Sequence, residues 1–135
     1  MNNGGNLQTE DENYICHIII PSKNYQRSKF FFEKVFGWKI IPQPGTSSLD
    51  VLPPSGKGPS AELNSEVEVV VPSIRTSDIE AKIKTIERFG GRKLKDKTPI
   101  DKDGEHGYFA LFEDPQGNMM CLYSENESSK HYSKQ

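Results

Sequence analysis

Two kinds of hydrophobic pattern alternate along the chain, and each kind occurs more than once. Short β-branched or alternating apolar runs, typical of strands, flank two segments whose apolar residues recur every three or four positions, as in helices. The first helix is predicted in NYQRSKFFFEKVFG, with Ser22 or Asn24 as its cap and Gly37 at its end. The second is predicted after VEVVVPSIRT, where Ser77 and Glu80 have capping-box spacing before a stripe of isoleucines.

The order of these elements repeats. YICHIIIP, the first helix, WKIIPQ, SLDVLP and SAELN make one β-α-β-β-β unit. VEVVVPSIRT, the second helix, RKLKDKTPI, GYFALFE and NMMCLYS make another, offset by roughly fifty residues. The sequence therefore predicts an α+β fold with two βαβββ modules, about 14–64 and about 66–124, in a single domain over 14–124. We expect these modules to form curved mixed sheets around a cavity, where small ligands bind.

Composition narrows the class of partner. The chain has 135 residues with 17 basic and 19 acidic side chains and a net charge of −2, which gives no electrostatic footprint for nucleic acid or an anionic membrane. The polar segments 1–13 and 125–135 are predicted to be disordered tails. Neither a leader-like segment nor a membrane-length apolar run occurs, so we expect a cytoplasmic protein. Cys16 and Cys121 are predicted to be free thiols.

Three separated motifs follow one another along the chain: HIIIPSKNYQRSKFFFEKVFGWKI, IRTSDIEAKIKTIERFGGRKL and YFALFEDPQGNMMCLY. In this order they resemble the vicinal oxygen chelate superfamily, of the glyoxalase and bleomycin resistance protein type, and the resemblance covers almost everything from Ile15 to Tyr123. The resemblance implies paired βαβββ modules, frequent homodimers and, in the enzymes, a divalent metal held by one residue from each of four strands.

This chain departs from the metal-binding pattern that the resemblance implies. His17 stands where glyoxalase-type members carry the ligand of the first strand, and Glu62 is the candidate in SAELN. No residue near Val71 can act as the ligand expected in the fifth strand, because Glu68 would require a shifted register. In the last strand, Cys121 stands where the family carries a glutamate ligand. We therefore expect no cofactor, with a divalent ion such as Zn, Ni, Mn or Fe as the alternative.

His17 and Glu62 each allow more than one reading from the sequence. His17 is a half-buried strand histidine, a metal ligand, or a group that contacts substrate. Glu62 either faces solvent or faces the cavity beside His17, where the pair could move a proton next to a carbonyl. These two residues are the candidates for catalysis and, if a metal binds, for its ligands.

The remaining candidates are apolar or lie in polar segments. Cys121 is either a small apolar filler or a thiolate activated by His17. Period-two alternation and the family register predict a cavity lined by His17, Trp38, Tyr108, Phe112, Met119, Cys121 and Tyr123. His106 is a solvated loop residue or part of a lid, and His131 receives no role.

Two functions of different class follow. The favoured one is a metal-independent binding protein that holds an aromatic or apolar metabolite or toxin in the cavity between modules. The alternative is a divalent-metal-dependent lyase, isomerase or dioxygenase that uses His17 with Glu62, Cys121 or water as ligands. The shortage of ligands decides between them, because a catalytic zinc site usually has three protein ligands.

Overall fold

The predicted duplication is present in the structure. The computed structural model describes residues 12–102 and 104–125; the predicted tails fall almost wholly outside these residues, as does His131. The chain divides into two compact units, the first from Cys16 to Pro72 and the second from Ser73 onward together with the described residues before Cys16. We refer to them as the first and second modules, and we count the whole strand Ile15–Pro21 in the first and the whole strand Val71–Arg75 in the second.

Each module contains one helix and four strands. The elements of the first are β1 (Ile15–Pro21), α1 (Tyr25–Phe36), β2 (Lys39–Pro42), β3 (Leu49–Leu52) and β4 (Ser60–Asn64). Those of the second are β5 (Val71–Arg75), α2 (Ile79–Arg88), β6 (Arg92–Pro99), β7 (Tyr108–Glu113) and β8 (Met119–Ser124). The strands run in the order β2-β3-β4-β1 in the first module and β5-β8-β7-β6 in the second. In both modules the strand before the helix pairs in parallel with the last strand, and the other pairs are antiparallel. The α+β fold of two βαβββ modules is therefore confirmed.

Helix α1 begins and ends as predicted. Asn24 is the N-cap, and its side chain accepts a hydrogen bond from the backbone N–H of Arg27 at 3.1 Å. Gly37 ends the helix in the left-handed conformation at φ 67°, which glycine adopts without steric cost.

The core of the first module lies between α1 and one face of the sheet. Its buried members are Ile40, Val51 and Leu63. Phe32 and Trp38 pack against this cluster, with their ring centroids 4.9 Å apart in a stacked arrangement. The helix is therefore held by a few aromatic contacts, and none of its residues is fully buried.

The core of the second module has the same position relative to its helix. Ile79 and Ile83 of α2 are buried against Ala110, Phe112 and Leu122 of the sheet. The isoleucine stripe predicted from the sequence is thus the packing face of this helix. The strand β6 forms one end of the strand order, and its exposed lysines suit an edge that does not pair with another chain.

Two local predictions in the second repeat were wrong. The strand predicted over VEVVVPSIRT begins only at Val71, because Asn64 accepts from the backbone N–H of Glu66 at 2.7 Å and holds a surface turn before it. The cap of α2 is Asp78, which accepts from Ala81. The backbone N–H of Ser77 instead donates to the Glu12 carboxylate at 2.8 Å.

Candidate functional site: a histidine–carboxylate pair on the first sheet

His17 and Glu62 form a hydrogen-bonded pair on the face of the first sheet opposite its core. The Nε2 atom of His17 lies 2.7 Å from Oε1 of Glu62, and the two side chains are 23% and 14% exposed. The parallel pairing of β1 with β4 sets His17 opposite Ser60 and Ile19 opposite Glu62, which brings the imidazole between the two β4 side chains. The sequence allowed Glu62 either to face solvent or to lie beside His17, and in the structure it lies beside His17.

The carboxylate of Glu62 is held in its ionised form. Burial raises its pKa, but hydrogen bonds from His17, Asn64 and Ser48 and the charge of His17 outweigh burial, so the pKa lies below its usual value. Its second oxygen accepts from the Asn64 amide at 3.1 Å. Each oxygen of this carboxylate therefore has a hydrogen-bond partner among the side chains of the same module.

Sequence reasoning missed two other polar residues of this face. Ser60 Oγ lies 2.5 Å from Nδ1 of His17 and donates to the carbonyl oxygen of Cys16 at 3.3 Å. Asp50 of β3 lies directly opposite Glu62, and it accepts from the amide of Gln43 at 2.8 Å. The alternation of SAELN places Ser60 and Glu62 on one face, but only the register between strands reveals that His17 and Asp50 share it.

In the second module, Cys121 is buried and on the sheet face opposite the core. Its exposed fraction is 4%, and its Sγ donates to the carbonyl oxygen of Leu122 at 3.4 Å. Met119 and Tyr123 share its face by alternation, and its cross-strand neighbour is Leu111. The hydroxyl of Tyr123 donates to the carbonyl oxygen of His106 at 3.1 Å. This face offers apolar and aromatic contacts.

Three aromatic residues predicted to share one lining lie elsewhere. Tyr108 and Phe112 belong to the core face of the second sheet, because β7 pairs with β8 in the register Phe112 with Met120, so both turn toward α2. Trp38 packs on Phe32 in the core of the first module, on the side opposite His17. Tyr108 and Phe112 therefore support α2 and do not share a sheet face with Cys121, and Trp38 supports α1 and does not share a face with His17.

The donor set does not fit a divalent metal ion. Within residues 12–102 and 104–125, no group of three or more His, Cys, Asp and Glu side chains is placed to hold one. His17 and Glu62 are hydrogen-bonded to each other, and Val71, at the predicted fifth-strand position, is fully buried and apolar. A zinc or iron site with fewer than three protein ligands would bind its ion weakly.

His106 lies in the exposed loop before β7. Its Nδ1 is 2.5 Å from Oδ2 of Asp101, and this hydrogen bond and charge raise the pKa of the imidazole. The same contact lowers the pKa of Asp101. The pair belongs to a surface loop of the second module.

The burial of Cys121 predicts slow reaction with thiol reagents. At neutral pH and under native conditions, we expect a thiol reagent such as DTNB to modify Cys121 at least about tenfold more slowly than after unfolding, because the buried sulfur is inaccessible to the reagent. Cys16, which is only half-buried, is the internal comparison. Mass spectrometry of each cysteine peptide over time measures both rates. Native labelling of Cys121 as fast as in the unfolded chain would show an activated thiolate.

Paired βαβββ modules with a histidine on the first strand define a protein of the vicinal oxygen chelate superfamily. The chain belongs to the glyoxalase-like family, whose profile, described as a glyoxalase-like domain, matches residues 17–123. It is 30% identical over 119 residues to a glyoxylase-like domain-containing protein of Didymella fabae, covering 80% of this chain and 91% of that protein.

Solved structures share the fold at low sequence identity. Methylmalonyl-CoA epimerase from Mycobacterium tuberculosis superposes with a TM-score of 0.61 at 10% identity, over 90% of this chain and 91% of that one. A hypothetical protein from Bacillus halodurans C-125 superposes with a TM-score of 0.63 at 15% identity, over 85% of this chain and 96% of that one.

Neither helix in the described part of the chain is long and apolar enough to span a bilayer.

Proposed function

We propose that this protein binds a small molecule on the sheet face that carries His17 and Glu62, without a metal ion. The observation that supports this most is the hydrogen bond of 2.7 Å between the two side chains. It joins the imidazole to the carboxylate, whereas a chelated ion would require both to point at a common centre with a third donor.

The chemistry of this face suits a ligand with an apolar or aromatic body and one polar group. Ile19 and Ile41 flank the polar centre, since Ile19 pairs with Glu62 and Ile41 pairs with Asp50 across neighbouring strands. His17 can donate to a carbonyl, hydroxyl or carboxylate oxygen of the ligand, or accept from a hydroxyl, when its ring turns from Glu62. The cytoplasmic location and homodimeric state expected from the sequence belong to the same proposal.

A metal-dependent lyase, isomerase or dioxygenase is the second candidate. The feature that favours it is the pairing of an imidazole with a carboxylate, both of which are metal-ligand types, on one face. It requires at least three donors arranged around a common centre, and no such group occurs among the described residues. The metal content of the purified protein distinguishes the two candidates.

The binding function can be tested by ligand screening in the presence of EDTA. A panel of aromatic acids, ketones and phenols is screened by thermal shift, and a ligand at about a hundred times its Kd is expected to raise Tm by about 10 °C. We expect His17→Ala to weaken binding of the confirmed ligand by about tenfold, since the hydrogen bond between the imidazole and the polar group of the ligand is lost. Glu68→Gln, which removes an exposed carboxylate of the same module, is the matched control.

Two results would contradict the proposal. One is a panel whose members bind only after a divalent ion is added. The other is a ligand that His17→Ala and the control variant bind as tightly as the natural chain.

A further inference from the structure

The outer face of α1 presents an apolar stripe to solvent. Phe30, Phe31 and Val35 are 65%, 53% and 54% exposed, although Phe32 on the same helix packs into the core. Together with Arg27 and Lys34 they fall at positions i, i+3, i+4, i+7 and i+8, and they line a shallow groove. We name these five residues the α1 outer face. A contiguous apolar surface of this kind on a soluble protein usually marks an interaction site.

The two cations of this face are not neutralised within the module. Lys29 and Glu33 form an ion pair at 3.3 Å, but neither Arg27 nor Lys34 has an ion pair with any residue that the structure describes. The Lys34 ammonium instead lies 5.6 Å from the centre of the Phe30 ring. The face therefore combines three large apolar side chains with two positive charges available to a partner.

We propose that the α1 outer face binds a protein segment that is apolar and acidic, an amphipathic helix with carboxylates at its two ends. Arg27 and Lys34 are seven positions apart, a rise of about 10 Å along the helix, with the phenylalanines between them. A partner helix with Asp or Glu seven residues apart and Leu or Phe between them matches this spacing. The apolar contact supplies affinity, and the charges set orientation and partner choice.

Charge separates this partner from two others. A second copy that docks through the same face would bring the Arg27 and Lys34 of each chain toward those of the other, and like charges at an interface are costly. An anionic membrane would gain only about 1 kcal/mol from each cation, and the chain as a whole has a net charge of −2. An acidic segment is the partner that meets both the apolar and the charged features. This surface is separate from the His17–Glu62 pair, and the inference does not depend on ligand binding there.

A pair of synthetic peptides tests the proposal. The first is an amphipathic helix of three turns with leucines flanked by glutamates seven residues apart, and the second replaces these glutamates with lysines. Titration of isotope-labelled full chain should give NMR shifts confined to α1 with the acidic peptide, and binding at least about tenfold weaker with the basic one. The double variant Arg27→Glu and Lys34→Glu, which alters exposed side chains only, should reverse this preference. Lys29→Glu is the matched control on the same helix.

Reversal of the preference in the double variant supports the proposal. It is overturned by equal binding of the two peptides, by no binding of the acidic peptide, or by a preference that the double variant leaves unchanged. Concentration-dependent dimers lost in Phe31→Ser would favour a second copy as the occupant, and sedimentation with vesicles of anionic phospholipid would favour a membrane; either result, without peptide binding, would also overturn it.

Discussion

His17→Ala is expected to lower the free energy of unfolding at pH 7 by about 2 kcal/mol, because the variant leaves a largely buried carboxylate without its imidazole partner. Loss of one partner of a fully buried ion pair costs more free energy, but the side chains of His17 and Glu62 are still 23% and 14% exposed. Urea denaturation of both chains measures the difference. We further expect the pKa of Glu62 to rise in the variant, since burial raises it and the His17 hydrogen bond that opposes burial is gone.

The pH dependence of this effect has a definite sign. The pKa of Glu62 in the folded chain lies below its ordinary value of 4.5, so the unfolded chain binds more protons and stability rises with pH. The contribution of the pair is therefore complete above about pH 4.5 and is lost as the pH falls through the lowered pKa. The gap between the natural chain and Glu62→Gln should narrow in the same window.

Lys23→Ala is the matched control for His17→Ala. Lys23 forms an ion pair with Glu68 at 3.0 Å in the same module, but the side chains are 60% and 79% exposed. Its loss should change the free energy of unfolding by no more than about 0.5 kcal/mol. Equal effects of the two variants, or a cost of His17→Ala that does not vary with pH, would show that the pair does not have the energetic role given to it here.

Gly107→Ala is expected to destabilise the second module by about 3 kcal/mol. Gly107 has φ +96°, where side chains are strained, and a Cβ there would overlap the backbone oxygen of Ser124 and approach the Tyr123 ring at 3.1 Å. Both neighbours belong to β8, so the strand or the loop must move. Thermal denaturation should show a drop in Tm of roughly 10 °C.

Gly117→Ala separates backbone strain from overlap. Gly117 has a similar φ of +87°, but an added Cβ would meet nothing within 4 Å. Its substitution should cost only the strain of the left-handed conformation, about 1 kcal/mol. Equal losses of stability in the two glycine variants would contradict the close approach of Gly107 to the backbone of β8.

The duplicated fold could be predicted because local signals agree with it. Asn24 and Gly37 bracket α1 through a side-chain cap and a left-handed stop, both of which depend only on neighbouring residues. The isoleucine stripe of α2 follows from helical periodicity in the same way. The cap of α2 was predicted one residue too early, because two neighbouring residues, Ser77 and Asp78, can each cap a helix and only Asp78 does so, while the Ser77 N–H donates to the Glu12 carboxylate.

The sequence predicted less well which residues share a face of each sheet. Tyr108 and Phe112 share one face of β7 by alternation, but which face depends on the register across the turn between β7 and β8. Leu111 pairs with Cys121, so the residues of β7 that share the Cys121 face are Phe109, Leu111 and Glu113. A shift of one residue would have reversed this assignment, and no local signal specifies it.

The pairing of His17 with Glu62 depends on a long-range contact. The two residues belong to strands separated by a helix and two other strands, and they meet because β1 and β4 pair in parallel. The sequence identifies His17 and Glu62 as candidate functional residues. It does not specify the register of the parallel pair β1 and β4, because a β-α-β-β-β unit allows several. Asp50 was missed for the same reason.

The metal content of protein purified without added chelator tests the central claim most directly. Elemental analysis by mass spectrometry should find well under one equivalent of Zn, Ni, Mn or Fe per chain, because the described residues contain no group of three or more His, Cys, Asp and Glu side chains placed to hold an ion. One equivalent of a divalent ion that is retained through dialysis and lost in His17→Ala would contradict metal-independent binding at this face.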